Sequence, residues 1–87
     1  MRPATLSSEE IAARGQRIYE ERVRGEVEEN HTGDFVVIDI DSGDYEVDRK
    51  DIDASMRLRQ RHPRAITFGL RVGFPAAYRL GGRFRIK

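Results

Sequence analysis

The stretch Phe35-Val36-Val37-Ile38-Asp39-Ile40-Asp41-Ser42-Gly43-Asp44-Tyr45-Glu46-Val47 decides how this chain folds. Residues 35–40 form a β-branched, almost unbroken apolar run, the pattern of a strand placed centrally in a sheet. Asp41-Ser42-Gly43-Asp44 has tight-turn chemistry, and Tyr45-Glu46-Val47 alternates as a short return strand. Together they predict a hairpin.

Upstream, Ser7-Ser8-Glu9-Glu10 reads as a capping box, after a loose start over Met1 to Leu6. From Glu9 to about Glu28, Ile11, Ile18, Tyr19, Val23 and Val27 share one helical face. The remaining surface is Arg, Glu and Gln, with i,i+4 pairs such as Glu20–Arg24. Gly15 and Gly25 each cost about 1 kcal/mol against Ala, so this helix must dock to persist. Asn30-His31-Thr32-Gly33 stops it.

Downstream, Asp48 is expected to cap a second helix from about Arg49 to Arg61. Ile52 and Met56 are expected to face inward, helped by Ser55 and the alkyl part of Arg59. Asp51 and Asp53 sit in its first turns and Arg57, Arg59, Arg61 and Arg64 near its end, as the helix dipole favours. His62-Pro63 ends it. Ile66, Phe68, Leu70 and Val72 alternate with Thr67, Gly69 and Arg71 as a half-buried strand. Gly73-Phe74-Pro75 breaks that strand; Ala76 to Leu80 can form a last short one, and Arg83-Phe84-Arg85-Ile86-Lys87 is a basic tail. The order helix, strand, strand, helix, strand, with an optional fourth strand, predicts one α+β domain over residues 1–87. Its small sheet carries the helices on one face.

The charges are sorted by position. Met1 to Asp48 balance to −8 and Arg49 to Lys87 to +9, hidden in a whole-chain value of +1. Fields of that size steer partners or neutralise each other, but do not choose a reaction. Cysteine is absent, which removes disulfides, thiolate nucleophiles and Cys-based zinc sites. No apolar run reaches the ~18 residues of a membrane span, and no signal-peptide core opens the chain. A cytoplasmic location is expected.

Little in the chain points to catalysis. The acidic turn from Asp39 to Asp44 invites a calcium reading, yet an EF-hand register fails at Gly43, Asp44 and Lys50. Ile40-Asp41-Ser42-Gly43 matches the short local signature of retroviral-type aspartic proteases, but here it closes a small hairpin. His31 and His62 lack a nucleophile at a motif-like spacing, and no phosphate-binding glycine loop is present. The expectation is a non-enzyme without metal or cofactor. Two binding readings remain. Phe74, Tyr78 and Arg79, on the glycine-flanked segment from Gly73 to Gly82, suit a protein partner. Alternatively, Arg57, Arg61, Arg64, Arg83 and Arg85, interleaved with aromatics as in single-strand binders, suit a nucleic-acid-binding regulator that uses the basic C-terminal half.

Val37 to Asp48 follows the pattern VIDI(D/E)(S/T)GDYE(I/V)D, and Leu70 to Gly82 follows LR(I/V)GxPAAYRLGG. Over Gly15 to Arg83 the chain resembles a family of small, uncharacterised bacterial proteins common in cyanobacteria. The resemblance implies no established activity. It implies a gene beside that of a small retropepsin-like aspartic protease. From that follows the expectation of an antitoxin-like binding subunit in a two-gene module; the sorted charges separately suggest a homodimer pairing acidic and basic halves, with the first helix as its self-association surface.

Overall fold

A computed structural model describes residues 6–74. The expected strand over 76–80, the basic tail, and the site residues Tyr78, Arg79, Arg83 and Arg85 lie outside the described residues. So does most of the loose start. Leu6, its last residue, packs against the core partly buried.

The capping box forms. Ser7 Oγ accepts the Glu10 N–H at 3.0 Å, and Glu10 Oε1 accepts the Ser7 N–H at 2.8 Å. Helix α1 (Ser8–Ile18) follows, then a π-helical turn (Tyr19–Val23), then α2 (Arg24–Val27). Gly15, Tyr19, Val23 and Val27 are all buried and spaced strictly by four. In a straight α-helix such a row drifts by about 40° at each step. The wider π turn in its middle offsets that drift and keeps the row on the sheet.

Strands β1 (Phe35–Asp39), β2 (Tyr45–Asp48) and β3 (Thr67–Arg71) form one sheet in the order β2-β1-β3, both pairings antiparallel. Ile38 lies opposite Tyr45 on one side and Phe68 on the other. Helix α3 (Asp51–Arg61) connects the two edge strands. The class and the element order are those read from the sequence.

The layering differs from that reading. Val36, Ile38, Ile40, Phe68, Leu70 and Val72 pack with Tyr19, Val23 and Val27 in one cluster. Val37 packs with Ala54 and Leu58 in another. Side chains alternate across a strand, so the two clusters lie on opposite faces. The helices therefore cover both faces of the sheet, α1 with its continuation on one and α3 on the other. The reason is β1 itself: its unbroken apolar run exposes an apolar set on each face, and both need cover.

Helix α3 is also set differently. Lys50, not Asp48, is its N-cap residue; Asp48 ends β2 and accepts the Lys50 N–H at 3.0 Å. Its inward residues are Ala54 and Leu58, both 0% exposed, whereas Ile52 is 67% and Met56 54% exposed. The row Ala54, Arg57, Leu58, Arg61 faces the sheet, because the small Ala54 lets the helix approach and the two arginines reach the sheet's carboxylates.

Candidate functional site

The face between α3 and the hairpin is where the acidic and basic halves of the chain meet. Arg57 donates from Nε to Glu46 at 2.9 Å and from Nη1 to Asp48 at 2.9 Å. Arg61 donates to Asp44 and to Glu46, each at 2.7 Å. The Lys50 amide first, then the Arg57 guanidinium, holds the Asp48 carboxyl below its ordinary range. A hydrogen bond to Glu46, followed by one to Asp48, pushes the Arg57 guanidinium up. Guanidiniums hold paired carboxylates in this forked geometry. Two of the five arginines expected at a nucleic-acid surface are thus engaged within the fold.

The turn at the tip of the hairpin is organised by one buried side chain. Asp39 is 3% exposed. Its Oδ1 accepts the Asp41 N–H at 3.1 Å and its Oδ2 accepts the Ser42 hydroxyl at 2.9 Å. Ser42 Oγ in turn accepts the Asp44 N–H at 3.0 Å, and Gly43 completes the turn at φ +83°. A side chain at Gly43 would also place its Cβ 2.8 Å from Arg22 Nη1. The Asp-Ser-Gly sequence is built into an Asx-type turn in which Ser42 bridges Asp39 and Asp44.

His62 closes the C-terminal end of α3 onto this turn. Its Nε2 donates to Asp44 Oδ2 at 2.8 Å, and its Nδ1 lies 3.6 Å from Asp39 Oδ2. The His62 hydrogen bond, aided by the Arg61 charge and opposed by partial burial, holds the Asp44 carboxyl below its ordinary range. Asp39, Asp41, Arg61, His62 and Arg64 line an open cavity of about 350 Å³. Among the described residues, no group of three or more His, Cys, Asp or Glu side chains is placed to hold a metal ion. No helix among them is long and apolar enough to cross a membrane.

Two exposed apolar features remain among the described residues. Phe74 is 46% exposed, with the Arg71 guanidinium 4.4 Å from its ring centroid, a cation–π contact. It borders a cavity of about 390 Å³ floored by Tyr19 and Leu70 and walled by the ladder Gln16, Glu20, Arg24, Glu28. The second feature is the outward face of α3, with Ile52 and Met56 one turn apart. Of the expected site residues, the structure brings Arg57, Arg61 and Arg64 to the C-terminal half of α3 and the loop after it. It places Phe74 apart from them.

Sequence reading missed Asp39 and the outward Ile52–Met56 pair. The spacing Asp39–Ser42 was a usable signal for the first, since an Asx turn needs a short side-chain acceptor just before the turn. Nothing local signals the second. Comparison with protein-family models, with curated proteins and with solved structures returns no match to this chain.

Proposed function

We propose that this chain is a non-enzymatic protein-interaction module that self-associates and binds a small companion protein, as the antitoxin-like member of a two-gene module. The observation that carries this reading is the exposure of Ile52, Met56 and Phe74 on a domain whose basic helix turns Arg57 and Arg61 onto its own sheet. Arg57 and Arg61 each hold two carboxylates, which supports the protein reading over the nucleic-acid one. Phe74, with Tyr78 and Arg79 following it in sequence, supplies the aromatic and guanidinium chemistry that dominates interface energetics.

The test is capture from a native lysate followed by reconstitution of the captured protein as a purified complex. Phe74→Ala should weaken that complex about tenfold or more. Binding to random DNA or RNA that falls steeply with salt, with no reconstituted protein complex, would overturn the proposal.

A further inference from the structure

We infer that the outward face of α3 is the self-association surface, and that its occupant is α3 of a second copy, packed antiparallel about Met56. This rests on the self-association part of the proposed function and names the surface that performs it. The outward face presents Ile52, Asp53, Met56, Arg59 and Gln60, with Ile52 and Met56 more than half exposed. Asp53 stands three residues before Met56 and Arg59 three after it; Ile52 and Gln60 stand four before and four after.

That spacing is self-complementary. A two-fold axis through Met56 reverses the second helix, so residue 53 of each copy meets residue 59 of the other. Asp53 then faces Arg59 twice, Met56 meets Met56 on the axis, and Ile52 lies against the second copy's Gln60 and the alkyl stem of its Arg59. A parallel arrangement would instead set Asp53 beside Asp53 and Arg59 beside Arg59. Neither Asp53 nor Arg59 has an ion-pair partner among the described residues, whereas Arg57 and Arg61 on the inward side are fully engaged. The helix thus divides its charges: one set clasps its own sheet, the other is left for a copy of itself.

The apolar centre is small, two side chains from each copy, well below the roughly 1,600 Å² of a standard interface. The dimer should therefore be weak, with a Kd on the order of 100 μM, and should loosen as salt screens the rim pairs.

The experiment is sedimentation equilibrium of the full chain from about 10 μM to about 1 mM, a range that brackets that Kd. Asp53→Arg and Arg59→Asp, each alone, should raise the Kd about tenfold by facing like charges. The double variant Asp53→Arg/Arg59→Asp restores both pairs in reverse and should return the Kd to near the wild-type value. Met56→Glu should abolish association while circular dichroism stays unchanged. A dimer indifferent to these changes overturns the α3 surface but leaves self-association standing. A chain monomeric at every concentration overturns both, and leaves companion binding to be decided by the reconstitution assay.

Discussion

Arg57 Nη2 donates to the backbone carbonyl of Val47 at 2.9 Å. The Asp39 N–H bonds the Asp44 carbonyl, so Asp44, Glu46 and Asp48 turn their backbone groups toward β1, and Tyr45 and Val47 turn theirs outward. Arg61 Nη2 takes the other outward carbonyl, that of Tyr45, at 3.3 Å. The two arginines therefore tie α3 down by carboxylates and also cover acceptors on the sheet's β2 edge, the kind of edge that otherwise recruits foreign strands. Removing either should loosen α3 and bare that edge. Arg57→Ala and Arg61→Ala are expected to lower the thermal midpoint, by less as salt rises, and to speed aggregation on heating. Calorimetry at low and high salt with parallel light scattering checks this.

The orientation of α3 gives a sharp contrast. Leu58 is fully buried against Val37 and Ala54, so Leu58→Ala should cost about 2–5 kcal/mol. Ile52→Ala and Met56→Ala, on the outward face, should change monomer stability by no more than about 0.5 kcal/mol. Urea unfolding of the three variants at concentrations below association measures the difference; the reverse ranking would mean the helix is rotated by half a turn.

The two helix glycines should behave oppositely. A Cβ at Gly15 would lie 2.3–2.5 Å from the Phe68 side chain, so Gly15→Ala must push the helix off the sheet. At Gly25 nothing lies within 4 Å, and Gly25→Ala should stabilise by about 0.5–1 kcal/mol through helix propensity alone. Chemical denaturation of both single variants tests the pair, with Gly15→Ala expected to lose at least about 1 kcal/mol.

Stability should decline at both ends of the pH scale. Asp44 and Asp48 have depressed folded-state pKa values, so their contribution is complete above the ordinary carboxylate range. It is lost as pH falls below about 4. Tyr45 behaves in the opposite sense: burial, then its hydrogen bond to Glu26, raises its phenol to about 12. Its contribution is full below the unfolded value of about 10 and is lost as pH rises toward 12. Thermal midpoints across pH, with Asp44→Asn and Tyr45→Phe as the variants that flatten each limb, provide the check.

The hairpin tip depends on Asp39. Asp39→Ala leaves the Asp41 N–H and the Ser42 hydroxyl without their acceptor and should cost about 1–3 kcal/mol. Ser42→Ala, which removes one bridging hydroxyl, should cost less. Stability measured on both variants ranks the two.

The capping box, the hairpin and the alternation of β3 were legible in the sequence because each is set within a few residues. Ser7 and Glu10 are three apart, Asp39 to Asp44 close one turn, and Phe68, Leu70 and Val72 repeat by two. The phase of α3 was not. Ile52–Met56 and Ala54–Leu58 are both apolar pairs four residues apart, so periodicity alone gives neither the inward place. Tertiary structure chose between them, because only the register of the hairpin puts Asp44, Glu46 and Asp48 where Arg57 and Arg61, flanking Ala54 and Leu58, can reach. The same holds for Gly15, whose missing side chain makes room for Phe68, 53 positions away along the chain. The sequence by itself determined which segments are helix and strand; which side of each helix meets the sheet was decided by long-range packing and charge pairing that no local pattern encodes.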